Sequence, residues 1–193
     1  MLRKAFITTT LLMPFQYAVA GALDFRVGQD MAELTFLTQT ASFGYGGADI
    51  GFGALINEYN DVVASGSILV SGSSTGNVNG LHFGVGAKAY VGVLEGPNDV
   101  LDIDGGAVAI GARVRYVFSG SMPIALLGEA YFAPEVTSLS EWDGLAEYRL
   151  AVEFEITPSA RAYLGYRLLE VTFDDNVDYD VDDAAHVGVR FEF

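Results

Sequence analysis

Apolar and polar residues alternate with a period of two along much of the chain. In LHFGVGAKAYV (81–91), Leu81, Phe83, Val85, Ala87, Ala89 and Val91 share one face, and His82, Gly84, Gly86, Lys88 and Tyr90 share the other. VAIGARVRYVF (108–118) sets Val108, Ile110, Ala112, Val114, Tyr116 and Phe118 against Gly111, Arg113 and Arg115. AEYRLAVEFEI (146–156) and RAYLGYRL (161–168) repeat the pattern, and so does the closing HVGVRFEF (186–193). No helical period fits these segments, whereas a two-faced β-strand fits each of them. Weaker strands are expected near 42–57, 62–70 and 124–133, so eight segments lie between residues 42 and 193.

The connections differ in length. TPS (157–159) and SGSMP (119–123) are short, while EGPNDVLDID (95–104), APEVTSLSEWD (133–143) and DDNVDYDVDD (174–183) are longer and acidic. Short turns at one end and longer loops at the other are the pattern of an outer-membrane barrel. The expected fold is therefore all-β, a transmembrane antiparallel β-barrel. A further N-terminal stretch, ALDFRVGQDMAELTFL (22–37), complicates the count. As one strand it would make nine, but a single-chain bacterial barrel needs an even number. Either the stretch splits at GQD, giving ten strands, or it lies outside the wall, giving eight. Eight is the favoured reading and ten the alternative.

Composition supports a barrel in lipid. Mean hydropathy is +0.32, yet no run of about 18 apolar residues is present to form a spanning helix. A barrel spreads its apolar residues over alternate positions and gives just this combination. The 193 residues suffice for one domain, and the lack of Cys excludes disulfides and thiolate metal sites. Residues 1–20 read as a secretory signal peptide. Arg3 and Lys4 precede the apolar AFITTTLLMPF, and Ala18 and Ala20 fit a cleavage site, with Ala20 and Ala22 as a close rival. The barrel then occupies 21–193. A formal net charge of −15 would repel phosphates and argues against a nucleic-acid partner.

Alternation does not say which face is inside. A soluble barrel would point the apolar face inward and a membrane barrel outward. The basic residues favour the second. Lys88, Arg113, Arg115, Arg149, Arg161, Arg167 and Arg190 lie on polar strand faces, interleaved with Glu129, Glu147, Glu153, Glu155 and Glu192, while Arg26 falls outside the well-defined strands. Charges enclosed in a lumen must pair, so these residues are expected to form a salt-bridged network that fills it. The alternative is a narrow anion path lined by arginine. Tyr116, Phe118, Phe154, Phe191 and Phe193 fall on the apolar face near the short turns, where an interfacial girdle belongs.

The segments FGVGAKAY (83–90), GEAYFAPE (128–135), AEYRLAVEF (146–154), ARAYLGYR (160–167) and HVGVRFEF (186–193) resemble the YfaZ family of outer-membrane proteins. The resemblance is strongest from about residue 80 onward, and YFAPE followed by LGYR is its most telling pair. It implies an outer-membrane barrel of a Gram-negative bacterium and supplies no activity, ligand or catalytic residue. For outer-membrane barrels generally, an alternating ending on Phe resembles the signal read by the barrel-assembly machinery, which here implicates Phe191 and Phe193.

Candidate chemistry is sparse. His82 and His186 lie on polar faces, and His186 stands a few residues from Asp182 and Asp183, so a His–Asp pair at the outer rim is conceivable. No Ser is placed beside it. The six Asp in 174–183 could hold a divalent cation but do not match an EF-hand, and a solvated acidic loop is the default. The G-x-G patterns lie in strands and lack the context of a nucleotide site. The expected function is a non-enzymatic outer-membrane barrel with a structural, envelope-interaction or limited passive-transport role and no cofactor. Its partners would be outer-membrane lipid, lipopolysaccharide and the barrel-assembly machinery. The rivals are a barrel enzyme acting on lipid or peptide, and a soluble periplasmic barrel holding an apolar ligand.

Overall fold

The computed structural model describes residues 21–43, 46–74, 80–95, 103–120, 123–173 and 177–193. Eleven strands follow in chain order: β1 (Gly21–Gly28), β2 (Met31–Phe43), β3 (Gly46–Asn57), β4 (Val62–Ser73), β5 (Leu81–Leu94), β6 (Ile103–Phe118), β7 (Ile124–Ala133), β8 (Ser138–Ser140), β9 (Trp142–Thr157), β10 (Ala160–Phe173) and β11 (Val177–Glu192). Ten of them form a closed antiparallel wall. Neighbours in sequence pair around the ring, β7 pairs with β9, and β1 closes on β11 from Ala22↔Glu192 to Gly28↔His186. The termini are stitched by reciprocal backbone bonds between Gly21 and Phe193, each 2.9 Å. β8 is an extra short strand. It pairs with β6 at Gly105–Ala107, beyond the end of β7, so β7 and β8 together cover that length of β6.

The favoured count of eight is therefore corrected to ten. The stretch 22–37 splits at Gln29–Asp30 into β1 and β2, which pair from Gly21↔Thr38 to Val27↔Ala32. Closure explains why. Without β1 and β2, the edges of β3 and β11 would expose unpaired backbone groups, and a barrel in lipid has no edge to spare. The expected strand at 42–57 is also revised, because 42–43 end β2 and β3 begins at Gly46. The expected acidic loop at 174–183 is largely strand: 177–183 extend β11 against β10, and 174–176 lie outside the described residues. The proposed signal peptide, 1–20, lies outside them as well.

Local chemistry accounts for the tight turn between β3 and β4. Asn57 Oδ1 accepts from the backbone N–H of Tyr59 and of Asp61, each at 3.0 Å. Asn60 takes the left-handed conformation there (φ 64°), which Asn tolerates well.

The exterior of the wall is apolar. Ile110 is 71% exposed and Leu150 66%, and Phe25, Phe52, Ile68, Val85, Phe132, Leu164 and Val187 also point outward. The inward positions carry the charges and a smaller apolar cluster. Gly21, Phe193 and the turn at Pro158–Ser159 mark one end, here the terminal end. The opposite end, the loop end, holds Asp30, Glu58, Glu95 and the 134–141 connection.

Candidate functional site: the lumen

Three levels of side chains fill the barrel. At mid-height Arg167, 2% exposed, is the hub. Its Nη1 lies 2.5 Å from Glu33 Oε2, its Nε 2.8 Å from Glu147 Oε1, and Nη1 is 3.7 Å from Asp182 Oδ2. Arg26 also donates to Glu33, Lys88 Nζ donates to Glu147 at 2.8 Å, and the Tyr90 hydroxyl donates to the same carboxylate. These contacts tie β1, β2, β5, β9, β10 and β11 across the interior. Glu33 has two cations and Glu147 two cations and a hydroxyl, which is what makes such charges tolerable away from water, while Asp182 meets the Arg167 guanidinium at the longer distance. Beside the hub lies a small cavity of about 60 Å³, partly against Gly51, Gly53, Ser65 and Ser67.

Toward the terminal end the pairs become more accessible. Arg113 Nε donates to Glu129 Oε1 at 2.7 Å, and Arg149 Nη1 donates to Glu129 Oε2 at 3.2 Å. Arg115 Nε donates to Glu153 Oε2 at 2.6 Å, and Arg190 Nε to Asp24 Oδ2 at 2.8 Å. Arg161 Nη2 donates to Glu192 Oε1 at 2.5 Å. Tyr163 donates to Asp24 while its ring lies under the Arg149 guanidinium, 4.8 Å from the centroid. A Cβ at Gly188 would overlap that ring, so the glycine makes room for Tyr163. Above this level a cavity of about 550 Å³ opens at the terminal end.

At the loop end the lumen is closed by apolar packing. Trp142, Leu94, Leu145, Leu169, Val171 and Val181 form one buried cluster. A Cβ at Gly105 would overlap the Trp142 ring, so the strand is bare where the indole lies. Beneath the β3–β4 turn, Asp61 is fully buried. It accepts from Asn57 Nδ2 (2.8 Å), the Tyr179 hydroxyl (2.7 Å) and the Glu95 N–H (2.7 Å).

Of the residues anticipated from sequence, Lys88, Arg113, Arg115, Glu129, Glu147, Arg149, Glu153, Arg161, Arg167, Arg190 and Glu192 all stand in these ion pairs. Glu155 does not. It is level with Arg161 in the ladder, but the Arg161 guanidinium turns to Glu192. Phe191 and Phe193 lie on the outer face at the terminal end. Sequence reasoning left Asp24, Arg26, Glu33 and Asp182 out of the lumen network. The signal was available in ALDFRVG, where Asp24 and Arg26 alternate with Leu23, Phe25 and Val27.

The histidines make no acid pair. His186 is buried, and neither ring nitrogen has a hydrogen-bond partner. It lies edge-on to Tyr163 at 5.9 Å, while Asp182 faces Arg167. His82 Nδ1 is 3.2 Å from Ser73 Oγ at the rim of the terminal cavity. Among the described residues no group of three His, Asp or Glu is arranged to hold a metal ion.

The fold and lumen define a class: a ten-stranded antiparallel barrel, apolar outside and ion-paired within. The chain belongs to the YfaZ family, whose model, described as YfaZ precursor, matches residues 10–193. Among solved structures, it is similar to the outer membrane channel DcaP of Acinetobacter baumannii, with 12% identity over 88% of this chain and a TM-score of 0.45. It spans 54% of the length of that chain. It is also similar to the NanC porin, with 13% identity over 91% of this chain and 100% of that one and a TM-score of 0.49. No curated protein matches the chain.

Proposed function

We propose that this protein is a small outer-membrane β-barrel with a plugged lumen, serving a structural or envelope-interaction role without catalysis. One observation carries the reading: apolar side chains cover the outside of the wall while guanidinium–carboxylate pairs fill the inside. In water this arrangement would be the wrong way round. Soluble monomers rarely expose a contiguous apolar patch of more than a few hundred Å². The same observation disfavours the soluble apolar-ligand carrier, whose cavity would be lined by the residues that here point outward. The enzyme reading loses its best candidate, because neither ring nitrogen of His186 is hydrogen-bonded to an acid or a hydroxyl.

On this reading residues 1–20 are a cleaved signal peptide, the terminal end faces the periplasm, and Phe191 and Phe193 serve the assembly machinery. Outer-membrane lipid and lipopolysaccharide surround the wall. The hub around Arg167 and the cluster around Trp142 act as two successive seals, so passive transport is limited at most. The test combines fractionation with conductance. The protein should partition with outer membranes, migrate differently on gels before and after boiling, and give no steady current steps in planar bilayers. A soluble, heat-indifferent band refutes the membrane assignment, and regular ion-selective steps refute the plug.

A further inference from the structure

We propose that the cavity at the terminal end is a binding site for a small multivalent anion carrying phosphate or carboxylate groups. The cavity, about 550 Å³, is a blind cup. It opens beside Gly21, Pro158 and Phe193 and ends on the ion pairs beneath. Arg113, Arg115, Arg161 and Arg190 line it, against two lining carboxylates, Asp49 and Glu192. These arginines are held but not hidden. Their side chains are 14–24% exposed, whereas Arg167 at the hub is 2% exposed.

The way they are held suits recognition. Arg113 and Arg190 each meet a carboxylate side-on through Nε and Nη2. Arg115 is fixed through Nε and Arg161 through Nη2. A guanidinium has five N–H donors in a planar fork, so these contacts leave donors over while they fix the plane. The acids stand at the wall and position the cations, and a ligand then finds preorganised donors that match phosphate and carboxylate geometry. The facing wall offers neutral groups: Thr38, Gln39 and Ser71 line the same cavity. They can bond an uncharged part of the ligand.

The charge distribution along the barrel points the same way. The chain is strongly acidic as a whole. Yet Asp30, Glu58, Glu95, Asp104, Glu135 and Glu141 all stand at the loop end, opposite the cup. Charges separated by more than about 8 Å are largely screened at physiological salt. An anion at the terminal end is therefore spared most of the loop-end charge and meets the four arginines together with Asp49 and Glu192.

The test uses the full barrel in detergent micelles, titrated calorimetrically with pyrophosphate and, separately, citrate. Arg161→Gln and Asp49→Asn are the informative variants. Arg161 pairs with Glu192, itself 38% exposed, so the barrel tolerates its loss. Saturable one-to-one binding is expected, weakened about tenfold by Arg161→Gln, the worth of one charge-assisted hydrogen bond, and tightened by Asp49→Asn. Binding of pyrophosphate alone assigns a phosphate ligand, of citrate alone a carboxylate ligand, and of both the shared chemistry. Absence of saturation with either probe, or affinities indifferent to both substitutions, overturns the site. Conductance plays no part in this readout, so a failed plug and a failed site are told apart.

Discussion

Replacing Arg167 with Met should destabilise the barrel more than any other single loss of charge. Met fills a similar volume but leaves three acids without their central cation. Glu33 keeps Arg26, and Glu147 keeps Lys88 and the Tyr90 hydroxyl. Asp182, 6% exposed and 3.7 Å from the guanidinium, loses its ion-pair partner. Removing one member of a buried pair costs about 3–5 kcal/mol, and the surviving partners place this case toward the lower figure, about 3 kcal/mol. Arg161→Gln gives the internal comparison: its partner is half in water, and the cost should stay under about 1 kcal/mol. Urea unfolding in lipid vesicles, followed through the fluorescence of Trp142, reports both. Trp142 is the only tryptophan in the chain and is buried beside the hub's loop-end side. The double variant Arg167→Met with Asp182→Asn should recover part of the loss, since it removes the charge that the first change left without its cation. If Arg167→Met costs no more than Arg161→Gln, the hub does not hold the lumen together.

Three further outcomes follow from the same geometry. Gly188→Ala should cost about 1–3 kcal/mol, because the new methyl meets a Tyr163 ring pinned by Asp24 and Arg149; adding Tyr163→Leu should restore stability in the same unfolding assay. Phe193→Ala keeps the backbone bonds to Gly21 and exposes no core, so refolding in vitro should be unchanged while the amount assembled in cell outer membranes falls several-fold; equal assembly would remove the role proposed for the ending. Trp142→Ala should lower stability by about 3–5 kcal/mol and loosen the loop-end seal, without opening a steady conductance, because the Arg167 hub still closes the lumen. Current steps in that variant would show that the indole alone plugs the barrel.

Most of the wall was legible in the sequence because the main strands from residue 81 onward alternate apolar and polar positions. The lumen was legible for the same reason: period two assigns a face, and charges on an enclosed face must pair. Three things were not. The split at Gln29–Asp30 shows in the sequence only as a change of phase, from apolar Leu23, Phe25 and Val27 to Ala32, Leu34 and Phe36, and closure of β1 against β11 decides it. The reach of β11 into 177–183 was masked by its aspartates, which read as solvated loop; β10 pairs with them, and Asp182 turns inward toward Arg167. His186 was placed near acids by sequence spacing, but neighbours along a strand face opposite sides, and Asp183 turns outward to the Tyr166 hydroxyl. The cup was invisible because an empty space depends on where side chains stop, which period and composition do not encode.

In an outer-membrane barrel of this kind the apolar face meets lipid and the charged face does not. The absence of native cysteine makes single-cysteine labelling clean. A fluorophore on Ile110→Cys or Leu150→Cys in reconstituted vesicles should be quenched by brominated acyl chains and ignored by aqueous iodide. The same fluorophore on Gln39→Cys, at the mouth of the cup, should respond to iodide and not to brominated lipid. Iodide quenching at Ile110 and Leu150, with no effect of brominated lipid, would show that the apolar face does not meet lipid.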